Sequence, residues 1–224
     1  VDVQMVTDVT PYELMKLRLL NASHQALCYL GYLAGFRFTY EVCQDPLFVE
    51  FLLGYMEDEA TATLSPVPGV DLDAYRRQLV DRFANRNVSD HLARLCADSS
   101  DRIPKFLLPV VHEQLRRGGE VQRSALVVAA WARYAEGVDE QGAPIPVVDQ
   151  RRESILERAS HNRTDPVAFL DDLSLFGALR DNELFVTLYS DALRSLHELG
   201  AYRTLKKWVE AWPRRTPAAT SMAT

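Results

Sequence analysis

Apolar residues recur around nearly the whole circumference of the segment ELMKLRLLNASHQALCYLGYLAG. That pattern predicts one long helix ending near Gly35 and buried on most sides, because a surface helix would carry a broad polar face. Thr10 as N-cap, Pro11 at the first helical position and Glu13 at the third form a capping-box start. A second helix is predicted from Asp45-Pro46 through LFVEFLLGYMEDEATATL. Its stripe of Phe48, Phe51, Leu52 and Tyr55 reads as packing surface, and its acidic run Glu57 to Glu59 as a solvated face, with the lining of a domain interface as the alternative. Further helical periods cover LDAYRRQLVDRFA, the stretch from Ser89 to Cys96, IPKFLLPVVHEQLRRGG and QRSALVVAAWARYAEG. ADSSD and VDEQGAPIPVVD read as loops, the second as a segment able to move, and Pro109 as a bend or break. Two more helical segments cover 150–160 and 166–173, and a last pair ends the pattern, with Gly200 between its members. No segment after residue 9 alternates with the period of a strand. The expected fold is therefore all-α: eight or nine helices in one domain over 1–212, followed by a flexible tail over 213–224.

At 224 residues the chain can bury one good core, or at most two small ones. Its net charge of -6 and the absence of a basic block argue against a nucleic-acid or anionic-membrane partner. No run approaches the roughly 18 apolar residues of a membrane span. Cys28, Cys43 and Cys96 are too few and too dispersed for a disulfide framework or a metal motif, which suits a reducing, cytoplasmic setting. His91, His112, His161 and His197 are equally scattered, so no metal site is expected. There is no GxGxxG turn, so the usual glycine-rich grip on a dinucleotide is missing. The opening VDVQMVTDVTPYEL is already apolar and strand-like, as though it continued a preceding segment.

The candidate chemistry lies in the first helix. At 100° per residue, Lys16, Asn21 and His24 share an arc of about 140° and span about 12 Å of the axis. A lysine among apolar neighbours must find a partner or lose its proton more easily, which is what a base working near neutral pH requires. Asn21 and His24 can donate hydrogen bonds to an oxygen that gains negative charge. The plainer alternative is a snorkelling lysine above two ordinary core hydrogen bonds. A second group, Arg94, Arg102 and Lys105, brackets a Ser/Asp-rich loop. It can bind hydroxyls or a carboxylate, or be consumed in ion pairs with Asp98 and Asp101.

Four segments in order, TPYELMKLRLLNASHQALCYLGYLAG, TYEVCQDPLFVEFLLGYMEDEATATL, VPGVDLDAYRRQLVDRFAN and DHLARLCADSSDRIPKFLLP, resemble the C-terminal domain of the mannitol dehydrogenase family, the polyol-specific long-chain dehydrogenases. The resemblance implies a helical substrate domain, with NAD or NADP bound mainly by an N-terminal Rossmann-type domain and catalysis without metal in the cleft between them. It implies a catalytic role for Lys16 and binding of the substrate oxygen by Asn21 and His24. It also implies substrate contacts from Arg94 and Arg102, with Lys105 as the alternative to Arg102. Ser99 departs from the glycine that the resemblance leads one to expect. The reaction implied is polyol–ketose interconversion by hydride transfer, with this chain inactive alone. Reduction of fructuronate or tagaturonate, oxidation of a polyol phosphate, and a non-enzymatic helical interaction domain are the alternatives.

Overall fold

The computed structural model describes residues 6–212 and residue 214. The strand-like reading of residues 1–5 and the tail expected over 213–224 lie outside the described residues, apart from Arg214. Every described element is helical, and extended pairing among the described residues is confined to two isolated bridges, Phe38 with His91 and Val138 with Pro144.

The first helix, α1, spans 10–33 in three continuous pieces: Thr10–Met15, a π-helical turn Lys16–Asn21, and Ala22–Leu33. It starts at Thr10, one residue before the expected first helical position. Thr10 is already helical, Val9 takes the cap position, and the Asp8 carboxylate accepts from the Thr10 N–H at 2.9 Å. The expected capping box is therefore replaced by an aspartate two residues upstream, an acceptor of the same kind with a better reach. The burial expectation holds: Leu19, Ala22 and the run from Ala26 to Leu30 are all inaccessible.

A short helix, α2 (Thr39–Gln44), precedes α3, which spans 46–60 as Pro46–Gly54 and a second π-helical stretch Tyr55–Ala60. Asp45 caps α3, accepting from the N–H groups of Leu47 and Phe48, and its other oxygen accepts from Tyr202 at 3.1 Å. An Asp45→Ala variant is expected to lose about 1–2 kcal/mol of unfolding free energy in urea, the usual range for a lost N-cap. A loss under a few tenths would mean that solvent replaces the carboxylate at this helix start.

Three more elements lead into the centre: α4 (Leu72–Phe83), capped by Asp71; α5 (Leu92–Cys96); and α6, spanning 99–117 as Ser99–Arg102, a third π-helical stretch Ile103–Leu107, and Leu108–Arg117. The loop expected at ADSSD is thus partly helical. Asp98 stands in the left-handed region (φ 51), and Asp149 accepts from the Ser100 N–H and hydroxyl, closing the first turn of α6. The stretch 138–149 has no regular structure, as expected, yet it is pinned. Ile145 and Val147 are buried, and the Asp98 N–H donates to Val148 O at 2.9 Å.

Helix α7 (Gln122–Tyr134) is buried at every position from Arg123 to Tyr134. It packs against α1 on one side and against α10 (Glu183–Leu199) on the other. Between them come α8 (Arg152–Ala159) and α9 (Leu173–Phe176), flanked by 3-10 turns, and α11 (Ala201–Ala211) follows. Alanines 125, 129, 130 and 132 let neighbouring helices approach α7 closely, while Trp131 fills the gap to Phe169 and Phe176 at 5.0 and 5.7 Å. A helix apolar on all sides finds a place only at the centre of such a layered stack.

Candidate functional site

The three π-helical stretches meet at one place. The turn at Lys16–Asn21 packs against both Tyr55–Ala60 and Ile103–Leu107. Each closes with an N–H that reaches five residues back: Ala22 to Leu17, Thr61 to Met56, and Leu108 to Ile103. π-Bulges cost hydrogen-bond quality and concentrate at functional sites. The third has a local cause, because Pro109 lacks an N–H and its ring would crowd the carbonyl four residues back. The first contains no Pro or Gly. It is supported from outside, by the Tyr55 hydroxyl donating to Arg18 O at 3.2 Å and the Arg18 guanidinium donating to Thr63 O at 2.6 Å. The wider turn changes the geometry expected for a regular α-helix, since it brings position 21 round toward position 16.

A cavity of about 180 Å³ opens beside this turn, with His24, Phe83, Asp90 and Arg94 among its lining residues. The His24 ring lies 4.7 Å from that of Phe83 and is mostly buried. Burial lowers its pKa to about 4; Asp90 opposes that shift, and Arg94, Arg102 and Arg82 add to it. His24 is therefore a neutral imidazole at pH 7, with one N–H donor and one acceptor nitrogen. Arg94 donates through Nε to Asp90 Oδ1 at 2.7 Å and through Nη2 to Asp90 Oδ2. Its partner is thus Asp90, and neither Asp98 nor Asp101.

The other sequence-predicted residues are arranged less closely. Arg102 is half-buried, donates to Leu95 O at 3.4 Å, and lies near enough for its charge to act on His24. Lys105 is exposed on the third π-helical stretch. Lys16 is exposed too, so the described residues do not provide the apolar surroundings expected from its neighbours in sequence. Asn21 is half-buried, and its Oδ1 is inaccessible and accepts no hydrogen bond among the described residues. Such an atom costs roughly 1–3 kcal/mol unless something supplies a donor. Ser99 is buried and does not line the cavity: its hydroxyl accepts from Tyr29 at 2.6 Å and donates to Cys96 O. The departure from glycine is absorbed by the core.

Sequence reasoning missed several participants. Asp90 was legible in principle, since it stands four residues before Arg94 at the spacing of a helical ion pair. Phe83 carries no local signal, and Tyr55 was legible as packing surface but not as the donor to Arg18 O. The acidic run was misread: Glu59 is fully buried and Asp58 nearly so, against the start of α7. Glu59 accepts from the N–H groups of Arg123 and Ser124 at 2.7 and 2.9 Å and from the Ser124 hydroxyl, while Arg123 pairs with Asp58 at 3.0 Å.

Comparisons with known proteins agree with one another. The family model described as the mannitol dehydrogenase C-terminal domain matches residues 8–197. Mannitol 2-dehydrogenase of Aspergillus fumigatus is 40% identical over 213 residues, covering 93% of this chain and 42% of that protein. Mannitol dehydrogenase 2 of Saccharomyces cerevisiae is 39% identical over 209 residues, with 92% and 42% covered. The chain therefore spans less than half the length of these relatives. Among solved structures, the ternary complex of Pseudomonas fluorescens mannitol 2-dehydrogenase with NAD and D-mannitol superposes with a TM-score of 0.90 and 43% identity, covering 94% of this chain and 43% of that one. D-Sorbitol dehydrogenase in its substrate-free form gives a TM-score of 0.82 and 25% identity, with 91% and 42% covered.

Proposed function

The chain belongs to the mannitol dehydrogenase C-terminal domain family, and from that membership we propose that it is the substrate-binding, proton-transferring part of an NAD(P)-dependent oxidoreductase that interconverts a polyol and a ketose. The observation that carries the reading is the likeness, over 94% of the chain, to an enzyme whose structure holds NAD and D-mannitol. The described residues do not fit a dinucleotide, because they contain no parallel strands and no glycine-rich strand-to-helix turn. The nicotinamide, which exchanges hydride with the substrate carbon, is accordingly assigned to a Rossmann-type domain of the longer protein. Of the residues assigned to the site, His24 and Arg94 line the cavity of about 180 Å³, whereas Lys16, Asn21, Arg102 and Lys105 do not.

The chain's own residues have the following work. Lys16 takes the proton from the substrate hydroxyl in the oxidative direction and returns it in the reductive one. It is exposed here, so the partner domain must complete its desolvation; removing water from an ammonium favours the neutral amine that the step needs. Neutral His24 donates its N–H to the same oxygen without introducing a fixed charge. The Asn21 amide donates its N–H groups to the substrate oxygen, while its Oδ1 is enclosed by the protein in this structure. Arg94 and Arg102 act further along the sugar chain, with Lys105 at the rim.

The test is NAD(P)H-dependent reduction of D-fructose, and the reverse oxidation of D-mannitol, by the protein that carries this chain and by the chain alone. The whole protein is expected to turn over a polyol–ketose pair and the chain alone to show none. Failure of the whole protein on every polyol and ketose would remove the reading, and turnover by the isolated chain would remove the division of labour.

A further inference from the structure

Asp90 is held more firmly than the arginine it binds. Its carbonyl accepts from the Thr39 N–H at 3.0 Å, its own N–H donates to Val88 O at 2.7 Å, and the adjacent His91 forms an isolated bridge with Phe38. The Asp90 side chain is 17% exposed, whereas that of Arg94 is 62% exposed and would sweep a wide arc if unpaired. Burial pushes the Asp90 carboxyl up, but the hydrogen bonds and charge of Arg94 outweigh it and hold the group below the usual carboxylate range. Asp90 is thus an anion at neutral pH that takes the Nε–Nη2 edge of the guanidinium, the edge a substrate carboxylate would bind side-on.

The pair therefore shows the cavity an acceptor beside a donor. A hydroxyl is both donor and acceptor and satisfies the two together. A carboxylate or phosphate has acceptors only, so reaching Arg94 brings it against Asp90. Two other cations bear on the site: Arg82 lines the cavity with an exposed side chain, and Arg102 turns toward Leu95 O. Neither is bonded to Asp90 among the described residues, and both lend the cavity positive charge, so the discrimination rests on the local contact at the Arg94 edge that Asp90 occupies.

We propose that Asp90 is a specificity-determining residue that, by pairing with Arg94, selects an uncharged polyhydroxy substrate over its carboxylate or phosphate counterpart. The proposal rests on the polyol–ketose reading above and gives that site its substrate class. The test compares kcat/KM for a neutral ketose, D-fructose, with that for its 6-carboxylate counterpart, D-fructuronate, in the wild-type protein and in Asp90→Asn. The ratio is expected to move toward the acid by on the order of tenfold, through the KM of the acid, because a like-charge contact has been removed. Asp90→Glu keeps the charge and is expected to retain the preference for the neutral sugar. An unchanged ratio, or an equal fall for both substrates, overturns the proposal and leaves Asp90 as a support for Arg94 only. If the wild type turns over neither substrate, the function reading fails separately. The same question is then put by titrating D-mannitol and D-mannonate against the His24 ring resonances of both proteins. Tighter binding of the acid by Asp90→Asn upholds the role of Asp90, and equal binding refutes it.

Discussion

Replacing Lys16 with alanine is expected to lower kcat/KM for ketose reduction by on the order of 100- to 10,000-fold, the span of a lost general acid or base. Its thermal unfolding should stay close to that of the wild type, because Lys16 is exposed and forms no ion pair among the described residues. The two readouts together separate proton transfer from folding. Addition of small primary amines should restore part of the lost rate, since the missing group is an amine at a position open to solvent in this chain. Activity that survives the substitution would move proton transfer to another residue, with neutral His24 the first to examine.

The largest effect on stability is expected at Arg123. Its side chain is 4% exposed; it pairs with Asp58 at 3.0 Å, lies 3.9 Å from Glu120 and donates to Trp212 O at 2.6 Å. A Cβ on Gly54 would collide with this guanidinium, so the glycine opens its path. Arg123→Ala leaves buried carboxylates with reduced compensation and is expected to cost about 3–5 kcal/mol. The cost should depend on pH. Burial raises the Glu59 pKa from 4.5 to about 7, against the opposing pull of Ser124 and Arg123. The folded state therefore binds that proton more tightly than the unfolded chain. Its contribution to stability is complete below about pH 4.5 and is lost as pH rises through 7. Removing Arg123 takes away one of the groups favouring the carboxylate, so the variant should lose more stability at pH 8 than at pH 5. Equal losses in urea melts at the two pH values would mean that Glu59 does not titrate in this range.

The helices were largely legible because their signals are local. Asp45, Asp71 and Asn182 each stand where a side-chain oxygen meets the free N–H groups of a helix start, and each caps one. The apolar circumference of α1 and α7 announced burial without naming a partner. The start of α1 was misread by one residue because Asp8 competes for the same donor. The spacing of Lys16, Asn21 and His24 and the charges around Arg94 were likewise visible, and the family resemblance drew attention to them. Their geometry was not visible, because a regular helix was the natural reading of residues 16–21.

The sequence by itself determined the all-helical class, the family and the residue types on offer at the site, since these depend on periodicity, caps and motif order along one chain. Only the tertiary structure decided that the acidic run closes the buried start of α7, that Tyr55 supports a π-turn beneath Lys16, and that Arg94 meets Asp90 at the edge of the His24 cavity. Each of those outcomes depends on the free energy of burying a polar group. That energy is set by whichever donor, acceptor or charge another helix brings within about 3 Å, and no local pattern records it.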